Sequence, residues 1–204
     1  FLETSGTDNQ YLYGAIVLCE GEINNITSII VNDSPVTFSA SIANGTTITS
    51  NDSKFGTTIQ VQPFFGADDQ VASSLLTTLS SWTSDHKLSG ICYIAFRITW
   101  DNDKYTGIPN IQAIVQGRKV STFDGSSNET TGQFSTNPAF CLLDYLRNER
   151  FGKGIPLADI DIPSFFSASQ VAVTQVTPFS GGSQINLFDC NAVIDTGQKL
   201  IDNT

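Results

Sequence analysis

Apolar and polar residues alternate most regularly over residues 90–100. Cys92, Ile94, Phe96, Ile98 and Trp100 fall on one side of the chain there, and Tyr93, Ala95, Arg97 and Thr99 on the other. A period of two over this length predicts a strand in a sheet with one face buried. Residues 11–20 (YLYGAIVLCE) predict a second strand, turned at Gly21, and residues 26–31 a third. Asn32-Asp-Ser-Pro35 has the composition of a turn. Residues 57–62 return as a strand. Residues 111–120 are expected antiparallel to residues 90–100, across a loop holding Gly107 and Pro109. Shorter strands are expected at 171–176 and 184–195, split by Pro178 and Gly181-Gly182.

Residues 67–82 change period. Val71, Leu75, Leu79 and Trp82 recur at helical spacing, joined by Ala72 and Leu76, with Asp68 and Asp69 at the positive end of the expected dipole. Asn137-Pro138 predicts a second helix, with Asn as N-cap and Pro at the first helical position. Its apolar face would be Phe140, Leu143 and Leu146, widened by Leu142 and Tyr145, and Gly152 and Gly154 would stop it. A short third helix is expected at 162–170. Residues 39–53, around Asn44-Gly45, and residues 121–135 are polar and predict loops, the second a linker or surface loop that touches a neighbour or a lumen. The expected class is mainly β (α+β), with barrel-like domains of antiparallel strands and two or three short helices. The expected division is 1–125, β-rich with one amphipathic helix, and 126–204, a helix and the start of a second β-rich domain.

Composition narrows the class of function. The 204 residues are 40% hydrophobic and 10% aromatic, too apolar for a disordered tail. Charged residues make up only 15%, too few for a coiled coil. Ten Lys and Arg against 20 Asp and Glu give a net charge of −10, which repels polyanions and offers no footprint for duplex nucleic acid. No 18-residue apolar run spans a membrane. Met is absent, which reads as a processed or truncated start, and residues 199–204 read as a helix cut in its first turns. The chain is thus expected to be a fragment of something longer. Cys19, Cys92, Cys141 and Cys190 lie too far apart for a metal or redox motif. Cys19 and Cys92 sit in apolar runs, as core thiols do. Whether any of the four are paired stays open.

Candidate chemistry is sparse. The single histidine, His86, stands beside Asp85 in a polar turn, without a nucleophile elbow to serve. The carboxylate pairs Glu20/Glu22, Asp68/Asp69, Asp101/Asp103 and Asp159/Asp161 are the raw material for glycoside hydrolysis. Each also has a plain role in a turn or helix start. Asp101-Asn-Asp103 opens like a calcium loop, then fails at Tyr105, Thr106 and Gln112. Gly152-Lys153-Gly154 lacks the spacing of a phosphate-binding loop. Sequons at Asn25, Asn32, Asn44, Asn51 and Asn128 are only modestly more than a Ser/Thr-rich chain gives by chance, and leave glycosylation of a secreted protein as a secondary reading. No catalytic, cofactor-binding or metal-ligating residue is assigned, and the chain is read as non-enzymatic.

Several segments carry a family likeness. Ala15-Ile-Val-Leu-Cys-Glu-Gly-Glu-Ile23 and Ile29-Ile-Val-Asn-Asp-Ser-Pro-Val36 resemble the opening hub segment of phage tail-tip proteins, the lambda-type tip attachment protein J, baseplate hub or central fibre family. Gln116-Gly-Arg-Lys-Val120, Asn137-Pro-Ala-Phe-Cys-Leu-Leu-Asp-Tyr-Leu146, Arg150-Phe-Gly-Lys-Gly154 and Cys190-Asn-Ala-Val-Ile-Asp195 follow in the same order. The last resembles the strand that begins the family's next domain. Phe151, where Tyr is more usual, and the polar insert at 39–53 depart from the pattern. The resemblance implies a virion structural protein at the tip of a long non-contractile tail. It would be a homotrimer that joins the tail tube and the distal tail protein ring to the fibre, with the tape measure protein as a further neighbour. It would serve host attachment and genome ejection, with DNA passing through the lumen without specific binding. No cofactor is implied. Phe64, Phe65, Phe165 and Phe166 are candidate surface aromatics in such an assembly, against the plainer reading as core. The alternative function is an extracellular β-rich carbohydrate-binding or adhesin module. A hydrolase built on the carboxylate pairs is the third.

Overall fold

The structure is a computed structural model and describes residues 1–193. The chain forms two compact units, Phe1–Arg118 and Lys119 onward. The first is mainly β, the second combines short strands with two helices, and every strand pair is antiparallel.

In the first unit the strands are β1 (Leu2–Ser5), β2 (Tyr11–Glu20), β3 (Ile23–Val31), β4 (Ser34–Pro35), β5 (Ile48–Thr49), β6 (Ile59–Phe65), β7 (Ile91–Thr99) and β8 (Ile111–Arg118). They build a five-stranded sheet in the order β1-β2-β7-β6-β5 and a three-stranded sheet in the order β4-β3-β8. The chain passes from one sheet to the other three times, between β2 and β3, between β4 and β5 and between β7 and β8. The expected antiparallel pairing of residues 90–100 with 111–120 is therefore wrong: β7 pairs with β2 and β6, and β8 pairs with β3. The connection buries Tyr105, whose ring stacks on Phe55 at 6.0 Å and whose hydroxyl lies 2.6 Å from Thr58 Oγ1. A tertiary contact inside the loop thus redirects the strand after it. No closed barrel forms among the described residues, because both sheets keep free edges.

The core lies between the two sheets. Cys92, Ile94, Phe96 and Ile98 of β7, Ile59 and Val61 of β6, and Leu12 of β2 meet Ile23, Ile26, Ile29 and Val31 of β3 and Ile111 of β8. The alternation read along residues 90–100 is observed, but both faces of β7 are covered. Tyr93 and Ala95 join Tyr13, Ala15 and Phe64 in a second cluster beneath Leu76, Leu79 and Trp82. Phe64 and Tyr93 stack there with centroids 4.6 Å apart.

The cover of that second cluster corrects the expected helix at 67–82. Leu75, Leu79 and Trp82 are buried as their spacing predicts, yet Val71 is 66% exposed and the segment is a run of turns. Its backbone is held by side chains. Gln62 Oε1 accepts from Ser73 Oγ at 2.6 Å and from Leu75 N at 3.2 Å. Gln62 Nε2 donates to Gly45 O at 2.8 Å and Ser74 Oγ at 3.1 Å. Gln70 Nε2 donates to the carbonyls of Lys87, Leu88 and Ile91, while its Oε1 accepts from Gly66 N. The hydroxyls of Thr77 and Thr78 donate to carbonyls three residues back. Ser and Thr compete with helical bonds in this way, and here they win.

The polar insert at 39–53 is half structure. β5 pairs with β6, and Ile48 and Ser50 are buried. Asn44 Oδ1 accepts from Phe65 N and Gly45 N donates to Pro63 O, so the turn folds back onto β6.

In the second unit β9 (Val120–Phe123) and β10 (Glu129–Gln133) form a hairpin, followed by α1 (Pro138–Arg147), α2 (Ile162–Ala172) and the small pair β11 (Gln175–Val176) and β12 (Ile185–Asn186). The hairpin corrects the reading of 121–135 as a linker or loop. Val120 and Phe123 pack with Phe140, Leu143 and Ile162 in this unit's core, and only the 124–128 turn and β10 are exposed. The expected cap holds: Asn137 Oδ1 accepts from Ala139 N at 3.1 Å. Its Nδ2 also donates to Ser169 O of α2 at 2.9 Å, so one side chain starts α1 and ties the helices together. Leu142, expected on the apolar face, is 51% exposed. α1 ends one residue before Asn148, whose carbonyl accepts from Gly152 N and Gly154 N and whose Oδ1 accepts from Arg150 N and Phe151 N. Gly152 is required there for closeness: a Cβ would stand 1.8 Å from Tyr145 O. Of the strands expected at 171–176 and 184–195, two two-residue strands form. Residues 171–172 belong to α2, and Cys190–Val193 is irregular. Residues 194–204, including the expected terminal helix, lie outside the described residues.

Candidate functional site

The candidate catalytic residues are dispersed and spent on local structure. His86 is exposed; its Nδ1 accepts from Thr83 N at 2.9 Å and its ring lies 5.1 Å from Trp82. The nitrogen that would accept a proton is thus taken by its own turn. Asp101 Oδ1 accepts from Asp103 N at 3.0 Å and Asp101 Oδ2 pairs with Lys104 Nζ at 2.7 Å. The Lys104 hydrogen bond holds the Asp101 carboxyl below the usual carboxylate range. Asp161 caps α2 by accepting from Ser164 N and Ser164 Oγ. Asp68 and Asp69 are exposed in the turn before Gln70. Gly152-Lys153-Gly154 closes the α1 loop. No cluster of three metal-ligating side chains occurs among the described residues. Two sequon asparagines are structural: Asn32 Oδ1 accepts from Asn110 N, and Asn44 holds β6.

Cavities are shallow. One of about 230 Å³ is lined by Ser121, Leu143, Asp144, Arg147 and Asn148. Another of about 240 Å³ lies among Phe134, Thr136, Asn137, Val173 and Asp189. Both fall below the ~300 Å³ at which small-molecule sites begin.

Several cations are engaged within the fold. Arg97 lies over the Tyr11 ring at 5.1 Å, Lys54 donates to Ser34 Oγ, and Arg147 pairs with Glu129 at 2.7 Å over Phe123. That pairing depresses the Glu129 carboxyl.

Phe64 is buried, and Phe65, Phe165 and Phe166 are half-buried, so the aromatics singled out in the sequence belong to the core. The exposed apolar residues gather elsewhere. Leu187 N donates to Thr174 O and Phe188 N to Ala172 O, which zips the chain after β12 against the end of α2. Val171, Val173, Ile185, Leu187 and Phe188 are thereby brought together with 39–56% of their surface exposed. In the first unit β8 is a free eight-residue edge with Ile114 exposed. Sequence periodicity could not mark these residues, because their exposure depends on which strands lack partners.

Sequence reading also left open whether the cysteines are paired. All four are free thiols. They lie as two couples: Cys19 faces Cys92 across β2 and β7, and Cys141 interacts with Cys190. The hydrogen bond between the first couple's thiols favours the Cys19 thiolate, and the same bond with burial pushes Cys92 up.

No family model matches the chain. It is 25% identical over 178 residues to baseplate hub protein pb3 of Escherichia phage T5, across 71% of this chain and 18% of that protein. The chain thus spans about a fifth of the length of the curated relative it matches.

Proposed function

We propose that this chain is a structural element of a phage tail baseplate, part of the hub at the tip of a long non-contractile tail. The similarity to a baseplate hub protein over 71% of the chain carries this reading. Its placement in the virion follows from the same similarity. In this reading the chain is non-enzymatic and repeats as a homotrimer around the tail axis. It joins the tail tube and distal tail protein ring to the fibre, with the tape measure protein nearby, and takes part in host attachment and genome ejection.

Three physical features support the reading. The candidate catalytic groups are apart and locally engaged. The second unit keeps several large apolar residues at its surface, Val171, Val173, Ile185, Leu187 and Phe188 among them. The net charge of −10 suits a lumen that lets DNA pass without holding its phosphates.

The test is the particle. Virions carrying this chain are purified, its copy number is measured by quantitative mass spectrometry, and its position is found by electron cryomicroscopy. Three copies on the axis at the distal end are expected. Absence from the particle, or a monodisperse monomer that binds a glycan array tightly, overturns the proposal in favour of a carbohydrate-binding module.

A further inference from the structure

Two cysteines, 49 positions apart in the sequence, are carried to one place at the start of α1. Cys141 Sγ donates to Ser135 O at 3.5 Å. Cys190 arrives with the chain beyond β12: its amide donates to Thr136 O at 2.6 Å, and Asp189 Oδ1 next to it accepts from Thr136 Oγ1 at 2.7 Å. Adjacent residues, Ser135 and Thr136, therefore anchor both sulfur-bearing residues. Both are half-buried, so a small reagent reaches them. Burial, then the negative charge of a Cys190 thiolate and its hydrogen bond, push the Cys141 thiol up to about 12. That influence requires the two sulfurs to be neighbours.

We propose that Cys141 and Cys190 are a covalent cross-linking site, closing to an intramolecular disulfide when the protein meets a small-molecule disulfide such as oxidised glutathione. The Cys190 thiolate attacks one sulfur of the reagent, and one thiolate of the reagent leaves. Cys141 then loses its proton to solvent and attacks the Cys190 sulfur, expelling the second. Two protein thiols are oxidised to one disulfide, and one reagent disulfide is reduced to two thiols. Cys141, held protonated, is the poorer first nucleophile, which sets the order. The bond fastens residues 186–190 to α1, where hydrogen bonds alone hold them in the reduced protein.

The other couple serves as an internal control. Cys92 has no exposed surface and lies in the middle of the core between the sheets. An oxidant has no route to it while the sheets are closed.

The experiment uses the 204-residue chain, purified with reductant and then exchanged into oxidised glutathione at pH 8. It is alkylated, digested without reduction, and mapped by mass spectrometry. A Cys141–Cys190 linked peptide is expected, with Cys92 alkylated only after denaturation. The melting midpoint of the second unit rises by about 15 °C or more on oxidation, the size expected for closing a loop of this length in a unit this small, and dithiothreitol reverses it. Cys141→Ser and Cys190→Ser each abolish the linked peptide and the rise. Four alkylated thiols after oxidation, a Cys19–Cys92 linkage alone, or links between chains would overturn the proposal. The wild-type peptide map decides the matter even where a serine variant folds poorly.

Discussion

Replacing Gln62 with leucine tests whether the turn-rich cover over the second core cluster of the first unit hangs on one side chain. Gln62 is 5% exposed and projects from β6 on the side of Phe64, away from the inter-sheet core. Its four hydrogen bonds are unequal. The acceptors reached by Nε2, Gly45 O and Ser74 Oγ, lie on exposed residues and turn to water when Gln62 is lost. The donors served by Oε1 do not have that recourse: Ser73 has no exposed surface and Leu75 is 8% exposed. Leucine conserves volume, so packing changes little. Two buried donors left without an acceptor cost about 1–3 kcal/mol each, which makes the loss about 3 kcal/mol. For a chain of this size that lowers the melting midpoint by about 6–12 °C. Trp82 and Trp100 both lie in the first unit, so tryptophan fluorescence during urea unfolding reads that unit alone. Hydrogen exchange gives a local readout: the Leu75 amide loses its acceptor and exchanges at least about tenfold faster. Gln60→Leu is the control, since Gln60 makes one longer bond, to Thr49 Oγ1 at 3.3 Å, and its loss costs under about 1 kcal/mol. If Gln62→Leu cost no more than this control, the account of the 67–88 segment as pinned by buried glutamines would be refuted.

Gly152→Ala forces a Cβ to within 1.8 Å of Tyr145 O, a backbone atom that cannot swing aside, and destabilises the second unit by about 3 kcal/mol or more. Gly117→Ala, with open space around it, is silent, and thermal unfolding by circular dichroism separates the two. Asn137→Ala removes both the α1 cap and the bond to Ser169 O, a loss of about 2 kcal/mol, whereas Asn137→Asp keeps the cap and loses only the tie to α2. Asp124 accepts from Asn128 Nδ2, Asn128 N and Ser126 N, which depresses its carboxyl. With the folded value below the unfolded one, the unfolded chain takes up the proton first as pH falls. The turn's support is therefore complete above the ordinary carboxylate pKa of about 3.9 and fades as pH drops through the folded value. A carboxyl titration by NMR with its midpoint at or above about 3.9 would contradict this.

Periodicity read these elements well where burial alone decided them. β2 and β7 alternate because each packs apolar side chains against a layer, and Asn137-Pro138 marks α1 because capping is a local bond. It misled where two physical demands share one residue. Leu75, Leu79 and Trp82 are spaced for a helix and are buried, but Ser and Thr fill the positions between them. The acceptors and donors that outbid the helix sit on β6 and at Gln70, out of reach of any local reading. The same reasoning explains the wrong partner for β8: an apolar pattern records that a strand is covered, not by which sheet. Only the buried stack of Tyr105 on Phe55 reveals that the chain changes layers there. The thiol couples were hidden for a related reason. Cys19 comes opposite Cys92 through a bulge in β2 between Val17 and Cys19 that shifts the register. Cys190 reaches Cys141 only because an irregular segment docks on Thr136. Exposed apolar residues follow this logic in reverse. Val173, Leu187 and Phe188 look like core in the sequence, and they lie at the surface because the hairpin of β11 and β12 is too short to cover them.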